Sequence, residues 1–395
     1  MRTIVRMTRI EHAKVLVSGA GIAGMALAWW LTEHGAEVTV VERAAAVRDG
    51  GYKVDIRGAA LTVIERMGLL ERVRAARTGV RTGSVVDATG KRVASMDADT
   101  FGGRVHDDAE LLRGDLATML HELTADRVTY RFGDAIAALG PEVVFESGHR
   151  AAYDLVVGAD GLRSRTRALA FGDTGVHDLD HYIAICSVPN HLGLDREELT
   201  YVGAGRTALV YSTAGQADAK AMFLFADPGG ERPRGTEAQR AFLTAAYAGE
   251  GWEVPKLLDA VAGAGDLYFD TISQVRLDGW SRGRVALVGD AAYCASPASG
   301  QGTSLALVGA YVLAGELAAA GLDEGPRRYE ERMRPFVAAN QHLGPANIKR
   351  MVLRSRRQVR MSMRMLAVVN RLPGKERLLA KVVEPINKAA NAITL

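Results

Sequence analysis

Apolar and polar positions change their period several times along the chain. From Lys14 the order is a short apolar run (Val15 to Val17), a glycine-rich turn, an apolar stretch to about His34 stopped by Gly35, and a second apolar run (Val38 to Val41). Short apolar runs bounded by turn residues read as buried strands and longer ones as helix, so residues 14–43 predict a strand-helix-strand unit. Two later runs, in YDLVVG from Tyr153 and RVALVG from Arg284, predict further buried strands, the second leading through a loop into an apolar helix that ends near Gly321. Two regions instead alternate apolar with polar residues. Residues 78–101 predict a hairpin around Ala88-Thr89-Gly90-Lys91, and residues 177–268 predict strands in HYIAICSVP, LTYVG, TALVYSTAG and AMFLFAD. Period two marks antiparallel sheet with one face buried. Residues 50–70 predict a strand, a turn and a helix ending at Gly68. Beyond Gly321 the pattern is helical, broken at Pro373-Gly374. There is no internal repeat.

The buried-strand segments are far apart in sequence, so they predict one discontinuous α/β domain over 13–77, 102–176 and 269–322. An inserted antiparallel-sheet domain would cover 78–101 and 177–268, with a helical region over 323–395. A length of 395 residues, with 48% hydrophobic and 24% charged residues, suffices for two cores. Cys186 and Cys294 cannot form a disulfide framework, and no Cys/His spacing suggests a metal, which points to a reducing cytoplasm. The uncharged run 15–32 behind a basic start has the look of a membrane segment, but the glycine spacing inside it favours strand, turn and helix, without stable membrane insertion. The first dozen residues precede the pattern, and Met7 is an alternative start. A net charge of +3 conceals an asymmetry: residues 349–381 hold 11 Lys and Arg against one acid, Glu376, and so carry +10, while the remainder sums to −7. This segment reads as a solvated helix face on an acidic body, and nothing predicts nucleic-acid binding. Met351, Met361, Met363 and Met365 suggest core filling or, less simply, a greasy channel.

Chemistry enters with three glycine-containing turns. Gly19, Gly21 and Gly24 form GxGxxG between the first strand and helix: one glycine for the tight turn, one for backbone approach to a pyrophosphate, one for helix-strand packing. Glu42, at the end of the second strand, is placed to accept hydrogen bonds from a ribose diol. This unit grips the ADP half of FAD and NAD(P) alike. The second turn, Asp160-Gly161, follows the buried strand and precedes Ser164 and Arg167. The third stretch, GDAAYCASPASGQGTS, runs from Gly289 and offers the carboxylate of Asp290 at one end and a helix N-terminus at the other. A carboxylate suits sugar hydroxyls and a helix N-terminus suits an anion. A ribityl chain joined to a reduced flavin ring offers both.

With these motifs the chain resembles the single-component FAD-dependent aromatic hydroxylases of the p-hydroxybenzoate hydroxylase fold, which include tetracycline-inactivating and polyketide-tailoring monooxygenases. The resemblance rests on Gly19, Gly21 and Gly24, on Asp160 and Gly161, and on Gly289 and Asp290. It implies a Rossmann-type FAD-binding domain with an inserted antiparallel-sheet substrate domain and C-terminal helices. It also implies that Glu42 and Arg43 contact the adenosine half and that Asp160 serves the pyrophosphate and reductant access. Asp290 would hold ribitol or pyrophosphate, and Pro297, Gly300, Gln301, Gly302 and Thr303 would line the flavin ring. Arg113, opening a helix, would reach the FAD, unless it pairs locally with Asp115. Tyr52, Asp55 and Arg57 are candidates to face cofactor or reductant. Three positions depart from the family pattern: Tyr293 where His is usual, Ser304 where Asn is usual, and Gly309 where a later Asp is frequent. The implied activity is hydroxylation of a bulky aromatic or polyketide-like molecule by molecular oxygen through a flavin C4a-hydroperoxide. NADPH, or NADH, would serve as reductant, with Arg43, Arg57 and Arg163 near enough to meet a 2'-phosphate. The cofactor carries that chemistry, and no catalytic side chain is assigned; Tyr201 and Tyr211 are the only guesses for a phenol-deprotonating group. Alternatives are a reductase of the same fold or a flavin-holding binding protein without turnover. The four tryptophans form no WxWxIP stretch, which disfavours a halogenase.

Overall fold

The computed structural model describes residues 9–48, 51–105, 107–373 and 375–395, with no side chain of 375–381 described. Met7, Asp49 and Gly50 lie outside these residues.

A six-stranded sheet carries the first domain, in the order Ser281–Arg282, Val285–Leu287, Leu155–Gly158, Lys14–Ser18, Glu37–Glu42 and Thr129–Phe132. All its neighbours are parallel except the short edge strand. Both faces of a parallel sheet are covered, which is why Val15, Leu16, Val17, Val156 and Val157 are all fully buried and why their runs are continuously apolar. The helix Ile22–Glu33 is apolar nearly all round because it lies between the sheet and the long helix Gly302–Met351. That long helix breaks at Gly321, whose φ of 83° only glycine adopts cheaply. Among the described residues it is the one helix long and apolar enough to cross a bilayer, and most of its apolar stretch is packed inside the protein.

The second sheet has seven strands, in the order Tyr268–Val275, Val176–Val188, Ala219–Ala226, Arg206–Tyr211, Glu197–Gly203, Thr82–Val86 and Arg92–Asp97. The hairpin 82–97 turns where the alternation placed it, with the Asp87 carboxylate accepting from the Thr89 and Lys91 amides. Pairing is antiparallel except where Glu197–Gly203 meets Thr82–Val86, because those strands come from separate chain segments. The strand Tyr268–Val275, assigned above largely to the cofactor segment, is hydrogen-bonded into this sheet. One face, with Tyr182, Ala184, Cys186, Phe223 and Phe225, packs on helices Thr236–Ala246 and Val254–Gly263 through Leu243, Leu257 and Val261. The strand alternation gave no sign of these two helices. The opposite face, with Ile183, Ile185 and Leu224, looks toward the first domain.

A two-stranded ribbon, Lys53–Ile56 with Ala109–Leu112, joins the two halves. The helix Arg356–Val369 rests against the edge strand Arg92–Asp97 and the inner strand Glu197–Gly203, with no residue fully buried. Met351, Met361 and Met365 are exposed, so these methionines neither fill a core nor line a channel. The C-terminal helix Lys375–Ala390 returns to the domain junction, bringing Ala390 against Gly58 and Val383 against Gly103.

Candidate active site

The three glycine turns, 130 to 270 residues apart in sequence, meet at one end of the parallel sheet. An added Cβ at Gly19 would stand 2.6 Å from the Ala159 carbonyl and 2.9 Å from Asp160 Cα, so the second turn is packed on the first. At Gly24 it would stand 1.9 Å from the Gly19 carbonyl, so this glycine is demanded by the turn itself. Gly21 differs. Its φ is −84° and an added Cβ would meet nothing within 4 Å, so neither backbone conformation nor protein packing requires glycine there. Close approach of a ligand to the backbone does. The helix that begins beside it has no side-chain cap, leaving its first N–H groups for an anion.

Gly289 places the third turn against the first. An added Cβ there would meet Ala23 of the first helix at 2.8 Å and Ala306 of the long helix at 4.0 Å. Two uncapped helix N-termini, at Gly21 and at Gly302, therefore flank one strand end. Gly302 repeats the argument of Gly21, since an added Cβ meets nothing within 4 Å. The loop between is shaped by Ser296, at φ 83°, whose hydroxyl accepts from the Ala298 amide, by the short turn Pro297–Ser299, and by Gly300 at φ 66°. Pro297 and Gly300 are exposed, whereas the Gln301 and Thr303 side chains are buried. Neither amide atom of the Gln301 side chain has a hydrogen-bond partner.

Glu42 serves the glycine turn directly: its carboxylate accepts from the Ala20 and Ala44 amides, each at 2.9 Å. Arg43 is exposed beside it. Asp160 caps its own turn, accepting from Ser164 Oγ at 2.5 Å and from the Thr166 amide and hydroxyl at 2.9 Å. Gly161 supplies the left-handed φ of 79° that follows. Arg167, buried, donates to the Leu162 carbonyl at 2.8 Å and the Ala291 carbonyl at 3.1 Å, tying the Asp-Gly turn to the loop after Asp290. The sequence motif contained Arg167, but its target could not be read from spacing.

Asp290 is open to the cleft yet deep within the protein. Burial pushes its carboxyl up, a hydrogen bond with Cys294 opposes this, and Asp270 adds to the rise. Tyr52 lies close enough to feel Asp290 and Arg113. Burial, then the Asp290 charge, pushes its phenol up to about 12, so it is a neutral donor at physiological pH. Its ring lies 5.5 Å from that of Tyr268. Arg113 opens the helix Arg113–Thr124, its amide donating to the Tyr52 carbonyl and its side chain lying over Gly51. Among the described residues it has no ion pair with Asp115.

The FAD binding domain family matches residues 12–178 and 267–341. A flavin-dependent monooxygenase from an unknown prokaryotic organism is 38% identical over 344 residues, 85% of this chain and 88% of its own length. An uncharacterised protein of Mycobacterium tuberculosis (strain ATCC 25618 / H37Rv) is 45% identical over 346 residues, covering 85% of this chain and 93% of its own. Among solved structures, the tetracycline destructase Tet(51) aligns with a TM-score of 0.85 at 35% identity, over 97% of this chain and 99% of that one. The chain belongs to the FAD-dependent aromatic hydroxylase family of monooxygenases.

Two departures from the family pattern turn out to be one exchange. In this monooxygenase Tyr293 points away from the cleft, into the core, where it packs on Trp280 and shares a 2.9 Å hydrogen bond with Tyr329. Its hydroxyl would stand 1.9 Å from a Cβ at position 309. A large residue after the Gly-Asp-Ala-Ala stretch thus requires the smallest one on the helix. Tyr293 is 1% exposed and Gly309 is also buried. Ser304 is also buried and accepts from the Arg57 amide at 3.2 Å.

Other expectations are corrected. Arg57 is buried, and its guanidinium donates to the Gly102 and Gly103 carbonyls and to Asp55, so it is not free to meet a 2'-phosphate. Arg163, in contrast, is exposed and able to meet a phosphate, resting 2.9 Å from Asp270 in a surface ion pair. Tyr201 bonds Glu250 on the helix-covered face of the sheet, and burial with that carboxylate pushes it up to about 12. Tyr211 is fully buried and raised further by burial. Neither serves as a base at neutral pH.

Sequence reasoning also missed a buried ionic cluster at the domain junction. Lys53 lies 3.0 Å from Glu110 and 2.5 Å from Glu198, while Arg104 lies 2.6 Å from Glu110. Thr78 donates to Glu110 at 2.6 Å. Burial would raise the Glu110 carboxyl, but Lys53 and Arg104 outweigh it and hold it at about 2. The cluster fixes the strand Lys53–Ile56, which Tyr52 directly precedes.

Proposed function

We propose that this FAD-dependent monooxygenase consumes NAD(P)H and molecular oxygen to hydroxylate a bulky aromatic or polyketide-like small molecule. The observation that carries the substrate class is likeness to a tetracycline destructase at 35% identity over 97% of this chain, and an apolar cluster stands beneath the cofactor loop. Ala298 of that loop packs with Ile183, Ile185, Leu224 and Ile272 of the sheet, with Ile348 of the long helix and with Val352 just past its end. These side chains are nearly inaccessible and pack on one another, so they hold the cofactor loop against the second sheet. Likeness to a tetracycline destructase over nearly the whole chain supports a polycyclic ligand.

The residues present fit FAD, because Gly21 and Gly302 leave open space where only a ligand explains glycine. In this reading the turn of Gly19, Gly21 and Gly24 and the helix behind it receive the pyrophosphate, while Glu42 and Arg43 serve the adenosine half. Asp290 accepts from ribitol, and the backbone from Pro297 through Gly300, Gln301, Gly302 and Thr303 borders the ring. Asp160 and Gly161 hold the turn beside the pyrophosphate, and Arg113 reaches the cofactor from its own helix. When bound, FAD accepts hydride from NAD(P)H and delivers one atom of oxygen to the substrate. The chain's own contribution is orientation and a neutral phenol at Tyr52 that donates a hydrogen bond. The reductant docks transiently, since the sequence holds one GxGxxG, and Arg43 and Arg163 are the exposed arginines that favour NADPH.

The test is anaerobic. NADPH is added to the FAD-loaded protein, and loss of oxidised-flavin absorbance is followed with and without phenols, aromatic polyketides and tetracycline. Acceleration by a polycyclic compound is expected. A flavin that stays oxidised with both NADPH and NADH across the panel overturns the reading.

A further inference from the structure

The helix Arg356–Val369 has two apolar faces, and the protein covers one of them. Val359, Met363 and Leu366 are half-buried on the side turned to the sheet. Met361, Met365 and Val368 are 66%, 63% and 59% exposed, and Leu372 follows at 44%. At 3.6 residues per turn the three helical positions fall within an arc of about 60°, so they form one stripe. Arg357, Arg360 and Arg364 lie along a single edge of that stripe, with Arg356 and Arg371 continuing the edge. Upstream stand Lys349, Arg350 and Arg354. All eight cations are exposed, none makes an ion pair among the described residues, and no acid interrupts them from 349 to 371.

We propose that this face docks on an anionic lipid bilayer surface, with Met361, Met365, Val368 and Leu372 entering the headgroup boundary and the arginine edge meeting lipid phosphates. A helix with an apolar stripe beside a basic edge and low overall hydrophobicity lies in the interface plane and does not span it. Arginine stems reach past the apolar side chains to the headgroups. A second copy of the chain fits poorly: a two-fold contact through this patch would set the same eight cations against each other. Lipid phosphates neutralise them. The inference is independent of the substrate reading above.

The experiment is co-sedimentation of the full FAD-loaded chain with vesicles of phosphatidylcholine alone and of phosphatidylcholine with about 30% phosphatidylglycerol. Binding to the second and not the first is expected, falling at least about tenfold as salt is raised toward 0.5 M. Met361→Ser with Met365→Ser, and separately Arg357→Gln with Arg364→Gln, are each expected to lower the bound fraction about fivefold or more while retaining flavin absorbance. These side chains are solvent-exposed, so folding is not at stake. Failure of the parent protein to sediment with anionic vesicles at low salt overturns the proposal. So does undiminished binding by the serine variant. A parent protein that elutes as a dimer dispersed by the serine substitutions overturns it in favour of an interface between copies.

Discussion

Replacing Gly309 with alanine is expected to destabilise the protein even though alanine favours helix. Intrinsic propensity at an interior helix position gains about 1 kcal/mol on going from glycine to alanine. Against it, the new Cβ would stand 1.9 Å from the Tyr293 hydroxyl and 3.1 Å from its ring carbon, with Met333 at 3.5 Å. Tyr293 is 1% exposed and held between Trp280 and Tyr329, so it has no free volume to enter. Displacing it costs about 1–3 kcal/mol in overpacking and about 1 kcal/mol for the strained Tyr293–Tyr329 hydrogen bond. The net loss is about 1–3 kcal/mol. With an unfolding entropy near 2.1 cal/mol/K per residue over 395 residues, each kcal/mol is worth about 1.2 °C, so Tm falls by about 1–4 °C. Thermal melts of a four-member cycle check it: parent, Gly309→Ala, Tyr293→Phe and the double variant. Loss of the hydroxyl removes the nearest contact, so the alanine is expected to cost less, or to stabilise, in the Phe background. A Gly309→Ala protein that melts at or above the parent, with additivity in the cycle, refutes the claim that these two positions are one exchange.

Gly21→Ala is expected to weaken FAD binding at least about tenfold with the apo-protein's melting temperature unchanged or raised, because its Cβ meets no protein atom, whereas Gly24→Ala disrupts folding itself; flavin fluorescence titration and thermal melts separate the two. Asp290→Asn is expected to stabilise the apo-protein at neutral pH and weaken FAD, since burial raises the folded carboxyl and so makes its ionised form unfavourable to folding; a lower apo melting temperature contradicts this. Glu110 is the opposite case. Its folded carboxyl, held at about 2 against an ordinary 4.5, binds fewer protons than the unfolded chain between those values, so stability rises with pH there by about 3 kcal/mol at most. That contribution is complete above pH 4.5 and lost as pH falls toward 2. Urea midpoints for Glu110→Gln are expected to be lower at neutral pH and flatter across that window, and a slope equal to the parent's removes Glu110 as its source.

Sequence alone determined what depends on near neighbours. Glycine at 19, 21 and 24 between two apolar runs dictates a strand, tight turn and helix, because φ, close approach and packing are settled within some ten residues. The alternation in 177–268 likewise dictates strands, since period two sends successive side chains to opposite faces whatever the partner. The Asp-Gly turn and the loop from Gly289 could be marked as sites for the same reason. Tertiary structure decided where side chains meet across the chain. Tyr293 and Gly309 look like independent departures until packing shows one occupying the other's space. Arg57, whose charge suggested a phosphate, is consumed by the Gly102 and Gly103 carbonyls. Lys53, Glu110 and Glu198 become a single buried cluster because a ribbon and a sheet strand are brought together from 145 residues apart. The same holds for the helix Arg356–Val369: its composition shows an amphipathic, basic segment, but which of its two apolar faces remains open is fixed only by where the sheet edge lies.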